Sequence, residues 1–111
     1  MIVTTKRGIS ICVRFEWDQT KNKKNIIKHG FDFADAWEVF QNNLLVLPDT
    51  KGNYGEERWI GIGLMQSRPV IIVIAFTERE PDIIRIISMR KANKYERKRY
   101  EEEIKNRLGP Y

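Results

Sequence analysis

The sequence predicts an α+β fold: an antiparallel sheet of about five strands, two helices in the N-terminal half and one C-terminal helix. Three observations carry this. Apolar residues alternate with a period of two early in the chain and again in a late group of strand-sized runs. Helix start and stop signals bracket the segments between and after them. The loops joining the late runs are too short for crossovers, so neighbouring strands pair antiparallel. A length of 111 residues fits one domain. Residues 1–8 read as a candidate flexible tail ahead of a domain over 9–111.

In order along the chain, Ile9, Ile11, Val13, Phe15 and Trp17 alternate with Ser10, Cys12, Arg14 and Glu16, the pattern of a half-buried strand. Asp18 is placed to cap a helix over Gln19 to His29, and Gly30 to end it in a left-handed turn. Asp32 is a second cap. Phe33, Trp37 and Phe40 follow at helical spacing beside Ala36, so a short helix should bury that face. Leu44 to Leu47 reads as a short strand stopped by Pro48, and residues 49–55 as a turn with Gly52-Asn53 near its apex. Arg58 to Leu64 and Val70 to Thr77 read as strands around a turn at Gln66 to Pro69. Val70 to Phe76 is apolar throughout, which suits a central strand covered on both faces. After a turn at Glu78 to Asp82, Ile83 to Met89 is a further strand. Asn93 and Glu96 form a capping-box pair opening a last helix, whose narrow stripe is Tyr100, Ile104 and Leu108.

Composition narrows the function classes. Formal net charge is +5, and the sequence pI is about 9.5. A basic balance favours RNA, DNA, anionic membrane or an acidic protein as partner, without choosing among them. The single cysteine, Cys12, excludes an intramolecular disulfide and suits a reducing compartment. Cys12 and the one histidine, His29, cannot form a zinc site by themselves. A carboxylate site for magnesium stays open, although no dense acidic cluster marks one. No apolar run reaches a membrane span, and the N-terminus lacks the apolar stretch of a signal peptide, so a cytoplasmic protein with no membrane partner is expected.

Arg85, set among isoleucines on its strand, is the most informative residue. Buried arginine is costly unless paired or open to a cleft. Snorkelling from a sheet edge, or paired with Glu78 or Glu57, it is structural; on a concave sheet it is a phosphate ligand, because the planar guanidinium binds two oxygens at once. Both readings fit the sequence. Arg58, Arg79, Arg90 and Lys91 stand at or beyond strand ends; singly they read as solvated, together as an anion site. Lys21, Lys24 and Lys28 share one helix face, either solvated or tracking a nucleic-acid backbone. His29 is either a proton shuttle or a C-terminal residue favoured by the helix dipole. Ser88 and Thr77 could orient a ligand. Gly61 and Gly63 fall within a strand, so no phosphate loop is present.

Phe15-Glu16-Trp17-Asp18, Lys28-His29-Gly30, Phe33, Ala36 and Val39-Phe40 resemble the front half of the BrnT toxin family. Glu57-Arg58-Trp59 with Ile62-Gly63 resembles its middle. Thr77-Glu78-Arg79, Ile84 to Ala92, Glu96-Arg97 and Tyr100 resemble its end. Met89 departs from the alanine common in that stretch, and residues 1–14 lie beyond the matched part. The resemblance implies a RelE-like fold and a type II toxin that cleaves RNA and inhibits translation and growth. It also implies silencing by a BrnA-like ribbon-helix-helix antitoxin, with promoter DNA contacted indirectly through the complex.

The expected mechanism is metal-independent and needs no cofactor: the RNA 2′-hydroxyl attacks the adjacent phosphate, leaving a cyclic phosphate. Arg58, Arg85 and Arg90 are the candidates to hold the phosphate, and His29 or Glu57 to move protons. Lys24, Lys28, Arg79, Ser88 and Lys91 are the candidates to bind flanking RNA. Alternatives are a non-catalytic antitoxin-binding co-repressor, a nucleic-acid-binding module or a host-factor adaptor.

Overall fold

The computed structural model describes residues 2–4, 10–41, 43–52, 54–80 and 82–108, with side chains from residue 13 onward and up to residue 107. Strands β1 (Ile2–Thr4) and β2 (Ser10–Cys12) pair antiparallel in a small sheet of their own. The main sheet starts at β3 (Arg14–Trp17). Helix α1 (Gln19–His29) follows, then a 3-10 turn at Phe33–Asp35 and helix α2 (Ala36–Phe40). Four strands come next: β4 (Leu45–Pro48), β5 (Trp59–Met65), β6 (Val70–Arg79) and β7 (Ile83–Lys91). Helix α3 (Lys94–Leu108) completes the α+β arrangement. Of the expected tail, residues 1 and 5–8 lie outside the described residues, as do Ile9 and the expected turn apex at Asn53.

The sheet order is β3-β7-β6-β5-β4, with the apolar strand β6 in the middle. It is mixed where an antiparallel sheet was expected. β4 to β7 form a meander of three reversals, which leaves β7 running the same way as β3 when they meet at the edge. The helices carry the chain from β3 to the far edge, so this pairing has no hairpin to announce it. The expected strand from Ile9 to Trp17 is divided at Val13: β2 pairs with β1, and the backbone N–H of Arg14 donates to Asp82 O at the start of the β7 pairing.

Helix boundaries follow the capping chemistry. Asp18 accepts from Lys21 N, and Gly30 adopts φ 79° at the end of α1. Asp32 accepts from Ala34 N and starts the 3-10 turn. That tighter turn alters the expected face of α2: Ala36, Val39 and Phe40 are buried, but Trp37 rotates outward and is 46% exposed. α2 presses on β5, where Gly63 is required by close approach, since a Cβ there would lie 2.8 Å from Val39 Cγ1. Pro48 ends β4 inside the ladder, tolerated because β4 is an edge strand.

The two sheet faces are covered unequally. On one, Phe31, Phe33, Ala36, Val39 and Phe40 pack on Ile72, Ile74, Phe76, Ile84, Ile86 and Met89 to form the main core. On the other, Tyr100 of α3 joins Leu45, Ile62, Val73 and Ala92 in a smaller cluster. The capping box at Asn93 and Glu96 holds the start of α3, with reciprocal bonds of 2.9 and 2.8 Å. Among the described residues, no helix is long and apolar enough to cross a membrane.

Candidate active site

Strand pleating decides which side chains share a face. β6 buries Ile72, Ile74 and Phe76 in the main core, so Val73, Ala75, Thr77 and Arg79 look the other way. Thr77 lies opposite Arg85 on β7, and Arg85 lies opposite Glu16 on β3. Arg58 directly precedes β5 and comes beside Thr77 as that register continues, and its carbonyl accepts from Asp49 N. Arg58, Thr77, Arg85 and Glu16 therefore form one row across four strands. Two interstrand spacings separate the Arg58 and Arg85 backbones, about 10 Å.

This row stands on the face shared with α3 but beyond the cluster that α3 covers. Ala75 and Ser88, paired on that face, are half-exposed, and the Arg58 and Arg85 side chains retain 23% and 30% exposure. At such partly buried positions the charge of a guanidinium is screened less than in bulk water. A bulge between Ala75 and Phe76 realigns β7 above the row.

Each arginine has a carboxylate neighbour. Arg85 Nη1 donates to Glu16 Oε2. This replaces the expected pairing with Glu78 or Glu57, and it follows from the parallel β3–β7 contact. Arg58 Nε is buried and makes no hydrogen bond, although Glu56 Oε2 is 3.5 Å away. The Arg58 guanidinium stacks over the Tyr54 ring, 3.9 Å from its centroid. Glu56 also faces Arg79, with Nη2 3.4 Å from Oε1, so one carboxylate is shared by two arginines. Thr77 Oγ1 donates to Glu57 O at 2.7 Å and fastens the β4–β5 loop to β6. At the β3 end, the Lys21 backbone N–H holds Asp18 below the ordinary carboxylate range, helped by the Lys21 and Arg85 charges. The start of α1 thus borders the row.

The other sequence candidates divide. Arg79 and Ser88 share the open face. Arg90 does too, five residues along β7 from Arg85, but both its terminal nitrogens donate to Glu96, each at 2.8 Å. Glu96 pushes Arg90 further up, and Arg90 with the Asn93 N–H holds Glu96 low. That arginine ties α3 to the sheet. Lys91 follows on the opposite pleat, facing the same side as Ile72. Lys24 and Lys28 are exposed on α1.

His29 stands apart. Arg68, in the β5–β6 turn, donates to Gly30 O at 2.8 Å, which fixes the end of α1 near Val70. Thr77 lies seven residues along β6 from there, roughly 23 Å. His29 is therefore not gathered with Arg58 and Arg85. Glu57 is exposed, and among the described residues its carboxylate makes no ion pair. Among those residues, no three His, Cys, Asp or Glu side chains come together as a metal site.

The member that sequence reasoning missed is Glu16. Its signal was present: Glu16 alternates with Phe15 and Trp17, so it had to face away from the main core. What the alternation could not give was its neighbour.

A surface cavity of about 330 Å³ adjoins the row, with Arg58 in its wall beside Tyr54, Glu56, Glu57 and Trp59.

Residues 17–96 match the family model described as the ribonuclease toxin, BrnT, of type II toxin–antitoxin systems. The crystal structure of the ribonuclease toxin BrnT from Brucella abortus is similar at 32% sequence identity. That match covers 75% of this chain and 100% of the other, with a TM-score of 0.61. No curated protein matches the chain.

Proposed function

Because the chain belongs to the BrnT family of ribonuclease toxins from type II toxin–antitoxin systems, we propose that it cuts RNA on the open sheet face, without a metal, at the row of Arg58, Thr77, Arg85 and Glu16. The observation that carries this reading is the sharing of one uncovered face by Arg58 and Arg85. Arg58 and Arg85 grip the scissile phosphate and stabilise the charge that builds on it. Glu16 takes the proton of the RNA 2′-hydroxyl, and the 2′-oxygen attacks phosphorus. The bond to the 5′-oxygen breaks, that oxygen takes a proton from water, and a 2′,3′-cyclic phosphate and a 5′-hydroxyl remain. Arg79 and Ser88 bind the strand beside the cut, and the Lys24 and Lys28 stripe draws in flanking backbone.

Glu16 replaces His29 and Glu57 in the proton role, since it touches Arg85 and His29 lies at the far end of β6. Arg90 is a positioning residue for α3, and Lys91 faces away from the site. Type II toxins have an antitoxin partner; a BrnA-like ribbon-helix-helix protein that covers this face would silence the enzyme and link the pair to promoter DNA. RNA loss would stop translation and growth.

The test is incubation of purified, antitoxin-free protein with single-stranded RNA in excess EDTA. The expected outcome is cleavage to cyclic-phosphate ends, reduced about 100-fold or more by Arg85→Ala. Activity that vanishes with chelator would remove the metal-free mechanism. Intact RNA together with tight antitoxin binding would favour the co-repressor reading.

A further inference from the structure

We propose that the cavity in the β4–β5 loop is a nucleobase site for guanine, beside the phosphate held by Arg58. The inference rests on the cleavage reading above and extends it from phosphate binding to sequence preference.

Four features of the cavity lead there. It is small, about 330 Å³, at the lower end of ligand pockets, so it suits one base better than a dinucleotide. It shares Arg58 with the open row, so a base inside it lies next to a phosphate gripped from outside. Its wall includes the Tyr54 ring with the Arg58 guanidinium lying over it, 3.9 Å from the ring centroid. Nucleobases stack on arginine planes and aromatic rings alike. Gly52 helps to set that ring, because a Cβ there would approach Tyr54 Cζ to 3.1 Å.

The rim selects the base. Glu57 is among the residues that line the cavity, its carboxylate is engaged by no ion pair among the described residues, and a carboxylate only accepts hydrogen bonds. Guanine alone presents two adjacent donors, N1–H and N2–H, on its Watson–Crick edge, and these match two carboxylate oxygens. Adenine and cytosine present one amino group beside a ring nitrogen acceptor. Uracil presents one N–H between two carbonyls. Either arrangement turns a lone pair toward Glu57, which is repulsive. The loop is also braced: Thr77 Oγ1 fixes Glu57 O, and Asp49 N donates to Arg58 O. Gly55 turns the chain at φ 72° just before the carboxylates. A braced loop loses less entropy on binding than a free one, so its contacts favour selectivity.

Two measurements test the site. In the first, wild-type protein cuts a randomised single-stranded RNA pool, and the cut ends are sequenced. Guanine should be enriched about tenfold over uracil at one fixed position relative to the scissile phosphate. Glu57→Ala should bring that ratio close to one, and Tyr54→Ala should lower it. In the second, full-length protein binds tetranucleotides whose 2′-hydroxyls are replaced by hydrogen, so that no cut can occur. A guanine-bearing strand should bind about tenfold tighter than its uracil counterpart, and Glu57→Ala should erase the difference. Absence of cutting with a persistent guanine preference in binding would reject the cleavage reading and keep the base site. Cutting with no base preference, or a guanine preference that survives Glu57→Ala, would overturn the base site and keep the cleavage reading.

Discussion

Asn25 ties α1 to the edge of the sheet and to Phe31 through three side-chain hydrogen bonds. It is a buried polar residue on α1, facing the edge of β7 beyond the point where β3 stops pairing. Its side chain takes over the role of the missing strand. Nδ2 donates to Met89 O at 2.9 Å and to Phe31 O at 3.0 Å, and Oδ1 accepts from Met89 N at 3.2 Å. Asn25→Ala removes all three bonds and strands backbone groups of Met89 and Phe31, which are 0% and 4% exposed. A buried backbone group without a partner costs about 1–3 kcal/mol, and water entering the gap recovers part of that. We therefore expect a loss of about 3–4 kcal/mol, a large share of the roughly 5–15 kcal/mol typical of a domain. The assay is urea unfolding, with the midpoint falling at unchanged slope. Asn25→Asp keeps the acceptor for Met89 N but sets a carboxylate against two carbonyls, so it should do no better. A variant within about 1 kcal/mol of wild type would refute the claim that this side chain completes the β7 edge.

Two further outcomes follow from the packing and the charges. Glu96 is held below the ordinary carboxylate range, chiefly by Arg90, so its contribution is present at neutral pH and is lost as pH falls below that range. Urea midpoints measured from pH 6 down to pH 2.5 should fall less steeply in Glu96→Gln than in wild type, and parallel curves would contradict this. The caps Asp18 and Asp32 act in the same direction, whereas Asp35, raised by burial, opposes them. Gly63→Ala forces a methyl within 2.8 Å of Val39 Cγ1 and 3.3 Å of the Val39 carbonyl, so α2 must shift off β5. A cost of about 1–3 kcal/mol is expected, read as a lowered thermal midpoint.

The sequence was most legible where the controlling physics is local. Asp18 and Gly30 bound α1 because a side-chain acceptor and a residue tolerant of positive φ act within one turn. The capping box at Asn93 and Glu96 is local in the same sense. The uninterrupted apolar run of β6 named the central strand, because only a strand covered on both sides tolerates such a pattern. Trp37 misled because helical spacing assumes one kind of turn, and the 3-10 turn before it changes the rotation. The parallel β3–β7 pair was hidden because its partners lie far apart in the chain with no turn to fix their register.

The same division runs through the candidate site. The strand-end positions of Arg58, Arg79 and Arg90 suggested an anion site, but pleating alone sets Ser88 and Arg90 on the face opposite Arg85, and only the bulge between Ala75 and Phe76 returns them to one face. Pleating could not tell that Glu96 already occupies Arg90, since that contact depends on how α3 returns across the sheet. It could not bring Glu16 to Arg85, which needs the parallel register. His29 illustrates the converse: a residue type suited to proton transfer, held by Gly30 and Arg68 at the wrong end of β6. Residue type suggests chemistry, but only topology decides which groups can share one phosphate.

A double-mutant cycle on RNA cleavage by Arg58→Ala, Arg85→Ala and the combined variant probes that sharing most directly. Two guanidiniums gripping the same phosphate should each cost about 100-fold or more when removed alone, and the pair together should cost far less than the product of the two. Losses that simply multiply, or either single variant cutting at the wild-type rate, would mean that the two side chains do not act on one phosphate.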